Sequence, residues 1–205
     1  MISARNIHRH AAGVLLLASA FGAFAQATTN AAAAGVQRDV NQQQRIENGL
    51  QSGQLTTREA GALERDETHV DRLQARALTD GTLTSAERAR IAAAQDKASR
   101  DIAAAKHNGV QGHPLSASSQ RMQASVQRDV NQQTRIAQGV QSGALTNRET
   151  ARLEQGQARV DRREAVAAQD GHVGAREAAR LQRAQDRQSR RIHHEKTDAA
   201  HRAPA

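Results

Sequence analysis

Val36-Gln-Arg-Asp-Val-Asn-Gln-Gln43 returns, residue for residue, as Val126-Gln-Arg-Asp-Val-Asn-Gln-Gln133. The offset is 90, and the match runs without a gap to Asn108 and Asp198 with about half of the positions identical. Self-similarity over so long a stretch marks one structural unit written twice. Between the copies, residues 109–125 carry Gly109, Gly112, Pro114, Ser116, Ser118 and Ser119, the composition of a linker. Pro114 and Pro204 are the prolines of the chain, so little else forbids long helices.

Inside each copy a shorter pattern appears twice: Gly53-Gln-Leu-Thr-Thr-Arg-Glu59 and Gly81-Thr-Leu-Thr-Ser-Ala-Glu87, then Gly143-Ala-Leu-Thr-Asn-Arg-Glu149 and Gly171-His-Val-Gly-Ala-Arg-Glu177. Each reads as a helix–turn–helix junction. Glycine ends one helix in the left-handed conformation that it alone adopts at little cost, and the aliphatic residue two positions later packs back over the turn. Thr56, Thr84 and Thr146 are then N-caps, with Glu59, Glu87 and Glu149 three residues on to complete capping boxes. Gly174 is a plainer cap at the fourth junction. Three helices per copy follow, near 36–51, 57–79 and 85–107, then 126–141, 147–169 and 175–197. Apolar residues recur by sevens along them, as in Leu63, Val70, Ala77 and Ile91, Ala98.

The fold class expected is all-α: a tandem pair of three-helix antiparallel hairpin bundles, or one longer bundle if the copies pack together. Residues 26–108 form the first repeat, 126–198 the second and 199–205 a tail. Residues 26–205 hold 25 Leu, Ile and Val, with alanine at many inward positions. So thin a core points to marginal stability that dimerisation would complete.

Residues 1–25 read as a cleaved secretory signal. Arg5 and Arg9 give a positive start, residues 11–24 form a short apolar run, and Ala23-Phe24-Ala25 is a small-x-small cleavage pattern. The run falls short of the roughly 20 residues of a membrane span. A periplasmic or secreted protein is expected. Cysteine is absent, which excludes disulfides, thiolate metal sites and thiol nucleophiles. Phe21 and Phe24 are the only aromatics, so no stacking platform for bases or sugars exists beyond residue 25.

Charge is uneven. Residues 26–110 carry 11 basic and 11 acidic side chains, whereas residues 111–205 carry 16 and 10. Arg176, Arg180, Arg183, Arg187, Arg190 and Arg191 fall within an arc of about 100° on the last helix. That stripe is a candidate site for an anionic partner, although Glu177 and Asp186 are interspersed as on a solvated face. Two metal readings fail. The four junctions carry Gly and Glu at calcium-loop spacing, but Leu50, Arg76, Leu78, Val140, Val166 and Ala168 occupy ligand positions that need oxygen. His193-His194-Glu195 places neighbouring imidazoles about 100° apart, so with His201 they read as surface histidines. No nucleophile elbow, zinc-protease or phosphate-loop motif occurs. No catalytic residue, metal site, cofactor or small-molecule substrate is expected.

Leu55-Thr-Thr-Arg-Glu59, Leu83-Thr-Ser-Ala-Glu87 and Leu145-Thr-Asn-Arg-Glu149 resemble the LTxxQ motif of the Spy/CpxP-type periplasmic stress proteins, with Glu at the fifth position. The resemblance implies an exported, all-helical, cysteine-poor protein that dimerises into a basic cradle. It also implies a place among chaperones and metal-responsive proteins. The expected function is non-enzymatic: binding other proteins in a stress or chaperone-like role. The alternative is electrostatic binding of anionic envelope surfaces or polyanions through the Arg stripe.

Overall fold

The computed structural model describes residues 15–198. Most of the expected leader and the 199–205 tail lie outside the described residues. Six helices make up the fold: α1 Leu15–Ser52, α2 Thr57–Ala77, α3 Ser85–Lys106, α4 Ala117–Gln141, α5 Asn147–Ala167 and α6 Ala175–Thr197. There is no strand among the described residues.

The junctions are built as local chemistry dictates. Gly53, Gly81, Gly143 and Gly171 all take positive φ, between 72° and 91°, where any Cβ is strained. The Thr56, Thr84 and Thr146 hydroxyls accept from the N–H groups of Glu59, Glu87 and Glu149, whose carboxylates accept in return from the cap N–H groups. At the fourth junction only the return half exists, Gly174 N–H to Glu177 Oε2 at 2.8 Å.

α1 begins at Leu15 rather than near 36, and two further features differ from the sequence expectation. α4 begins at Ala117 rather than near 126, so half of the expected linker is helix. Ser116 caps it by accepting from Ser119 N, and Met122 extends the inward stripe by a turn ahead of Val126. The remaining connector lies against the first junction, Gly112 N–H donating to Gly53 O at 2.8 Å. A Cβ on Gly112 would stand 2.3 Å from Leu55 O, which explains glycine there.

The second difference is larger. The copies do not form two separate bundles. α2 packs most extensively on α5 and α1 on α4, while α3 covers its own copy's α1 and α2, and α6 covers α4 and α5. Arg58 Nη2 donates to Asp170 O at 3.0 Å, and Arg148 Nη2 donates to Asp80 O at 3.1 Å. Both partners are related by the 90-residue offset. Such reciprocity belongs to a two-fold interface, here inside one chain, and it sets α2 antiparallel to α5. The apolar core obeys the same symmetry. Val36, Leu78, Leu83 and Ile91 lie in one cluster, and their counterparts Val126, Ala168, Val173 and Leu181 lie in the other. Each cluster draws on both copies, so neither copy closes a core alone. The second copy stands where a homodimer partner would.

Candidate metal centre

Between the two apolar clusters, the four central helices turn polar at the waist. Asp39 on α1, Glu64, Glu67 and Asp71 on α2, Asp129 on α4, and Glu154, Asp161 and Glu164 on α5 are all buried. These positions continue the same inward stripes that carry Val36, Leu63, Val126 and Leu153. Tertiary packing, not local preference, therefore places eight carboxyl groups in the interior. No ion pair recorded among the described residues involves any of them.

The carboxyls gather in two sets. Oxygens of Asp39, Asp71 and Glu154 lie within 4.8 Å of one another, and so do oxygens of Glu64, Asp161 and Glu164. The 90-residue offset maps Asp39, Asp71 and Glu154 onto Asp129, Asp161 and Glu64, so the sets sit on opposite sides of the pseudo-two-fold axis. Glutamines hold the rims. Gln74 and Gln95 donate to the two oxygens of Asp39, each at 2.7 Å, and Gln43 donates to Glu64 at 2.9 Å. Gln133 reaches Asp71 at 3.5 Å and Glu154 at 3.4 Å. Across the axis, Gln185 donates to Glu164 at 2.9 Å and to Asp129 at 3.4 Å, and Ser125 Oγ donates to Glu164. Three substitutions break the symmetry: Glu67, Gly35 and Gln74 in the first copy are Gln157, Ser125 and Glu164 in the second. Through Glu164 the second set gains a carboxylate beside Asp129.

The glutamines offer too few N–H groups for so many acceptors. One oxygen each of Glu64, Asp71, Asp129, Glu154, Asp161 and Glu164, and both of Glu67, are buried with no N–H or hydroxyl donor, while Asp71 meets Asp161 and Asp129 meets Glu164, carboxyl to carboxyl. The amide oxygens of Gln43, Gln74 and Gln133 are in the same condition. Burial pushes the Asp39 carboxyl up to about 7, against the lowering effect of its bonds to Gln95 and Gln74 and of nearby Arg38. Burial first, and neighbouring carboxylates second, push Glu64, Glu67, Asp71, Asp129, Glu154 and Asp161 well above the ordinary range. A buried ion costs several kcal/mol even after relaxation, roughly, unless it is paired. This concentration of unmatched acceptors needs protons or cations.

The residues singled out from sequence lie elsewhere. The capping pairs occupy the helix starts, and Asp80 and Asp170 accept from Thr82 N and His172 N, each at 2.8 Å. His193 and His194 are exposed on the last turns of α6, and His201 lies outside the described residues. All six arginines of the stripe are exposed. Arg180, Arg187 and Arg191 line a groove against α5, where they meet Arg159 and Arg163, and Arg176, Arg183 and Arg190 stand outside it. Sequence reasoning missed the waist because acidic and amide residues on a helix read as solvated. Only a partial signal was present: Asp39/Asp129, Gln43/Gln133, Glu64/Glu154, Asp71/Asp161 and Gln95/Gln185 are identical between copies, but so are the exposed Asp80/Asp170 and Asp96/Asp186, and the buried Glu67/Gln157 and Gln74/Glu164 are not.

No family model matches the chain, and neither does any curated protein or solved structure. Among the described residues, no helix is long and apolar enough to cross a membrane.

Proposed function

We propose that the protein is an exported, non-enzymatic cation-binding protein of the helical stress type, which holds hard divalent cations in its carboxylate waist. The observation that carries this reading is the set of buried carboxylate oxygens without a donor at the waist, above all on Glu64, Asp161 and Glu164, which group closely enough for one ion to bridge the three. Oxygens around a calcium ion at about 2.4 Å stand up to about 4.8 Å apart. The donors are carboxylates and amide carbonyls with no imidazole or sulfur, a set suited to Ca²⁺ or Mn²⁺ rather than Zn²⁺ or Cu²⁺. Mg²⁺ keeps several waters and fits a tightly packed interior less well. Export rests on the signal-like residues 1–25, and the stress role on the LTxxE turns. A bound cation gives such a role a physical signal, because filling the waist changes the stability of the whole bundle. Client binding has less support: the large apolar side chains exposed among the described residues are Val110, Leu115 and Val166.

Calorimetric titration of the chelator-stripped protein at pH 7.5 with CaCl₂, MnCl₂ and MgCl₂ tests the reading. Saturable Ca²⁺ or Mn²⁺ binding is expected, weakened about tenfold or more by Asp71→Asn with Asp161→Asn, a loss of at least 1.4 kcal/mol. No saturable binding of any of the three ions would overturn it.

A further inference from the structure

A second site lies on the outside of the second copy. Arg159 and Arg163 on α5 face Arg180, Arg187 and Arg191 on α6 across a groove that contains pockets of about 430 and 170 Å³. With Arg162 on α5 and Arg72 reaching in from α2, seven guanidiniums line it, and no ion pair recorded among the described residues involves any of them. Glu177 at the rim is turned to the start of its own helix, where it accepts from Gly174 N. Burial, then the charges of Arg191 and Arg163, draw Arg159 below its ordinary range, so the cluster repels itself in the absence of an anion.

Part of the lining is of a different nature. Val166, Ala167 and Leu181 line the 430 Å³ pocket together with the arginines, and Val166 is 63% exposed. A valine set among unpaired guanidiniums suits a ligand that is anionic at one end and apolar at the other. Arginine's planar donor fork matches phosphate oxygens in pairs. With no aromatic residue in the groove, base stacking does not contribute.

We infer that the α5–α6 groove binds a phosphate-bearing amphiphile, its phosphate held by Arg159, Arg163, Arg187 and Arg191 and the first carbons of its chain lying on Val166 and Leu181. This site is separate from the waist and does not depend on the cation. The acids that would neutralise it are missing from this copy alone. The first-copy counterparts of Gly156 and Arg191 are Asp66 and Asp101, which bind Lys97, the counterpart of Arg187.

The test is titration of the metal-free protein with soluble dihexanoylphosphatidic acid, and with inorganic tripolyphosphate as the anion without a chain. Expected are saturable binding of the lipid that weakens with added salt, at least tenfold weaker binding of tripolyphosphate, and at least tenfold loss of lipid affinity in Arg159→Gln/Arg163→Gln/Arg187→Gln. Val166→Asp should weaken the lipid more than the tripolyphosphate. These side chains are exposed or only partly buried, and an unchanged circular dichroism melt confirms that the variants fold. Equal affinity for the two probes would mean a polyanion site and overturn the inference. So would lipid binding that the triple variant leaves unchanged, or no lipid binding at all.

Discussion

The α2–α3 face of the first copy and the α5–α6 face of the second began as the same surface, and they now differ in kind. On α2–α3, Lys97 Nζ sits between Asp66 at 2.8 Å and Asp101 at 2.6 Å. The bonds to Asp101 and Asp66 raise the lysine above its ordinary range. On α5–α6, the matching positions are Arg187, Gly156 and Arg191, and His69 and Leu73 have become Arg159 and Arg163. One face is internally neutralised, and the other lacks the two acids that do it. The waist, in contrast, is held nearly identical by the two copies. The two copies share the interior and differ on this exterior.

Separating the copies should do the most damage. Because each apolar cluster draws on both, a fragment ending in the connector cannot close a core as a monomer. Residues 26–116 alone should lose most of their helical signal at micromolar concentration, or regain it only by pairing two fragments in the place of the two copies. Sedimentation with circular dichroism decides this, and a stable, helical monomeric half would contradict the packing. A smaller effect sharpens the contrast of the two faces. Arg191→Asp restores the acid that the first copy carries at Asp101 and should weaken the groove's anion affinity by about tenfold, near 1.4 kcal/mol, read by the same titration. Asp101→Asn on the other face should leave that affinity unchanged.

The legible part of the fold was the local part. The glycine turns and capping boxes depend on residues within four positions of each other, and the repeat is visible by inspection. That α2 should lie on α5 is a contact across about 90 residues, and no local preference encodes it; only the thin apolar stripe of each copy hinted that another surface was needed. The arginine stripe was half visible. Its α6 members share one helix face, but Arg159 and Arg163 join them only through packing. The waist was hidden because Asp39, Glu64 and Asp71 look like surface residues until four helices close over them.

The cation-binding waist is tested most directly by thermal melts of the chelator-stripped protein at pH 5 and pH 8, with and without Ca²⁺ or Mn²⁺. The buried carboxyls titrate higher in the folded state than in the unfolded chain, so the native state holds extra protons above the ordinary carboxylate range. That contribution is present at low pH and is lost as pH rises through the folded values, of which Asp39 lies at about 7. Without metal, Tm should fall from pH 5 to pH 8. Adding the cation at pH 8 should restore it, since a cation at a hundred times its Kd adds about 2.7 kcal/mol. The cation should have little effect at pH 5, where protons occupy the same oxygens. A metal-free Tm that holds steady or rises to pH 8, together with no response to either cation, would contradict the cation-binding waist.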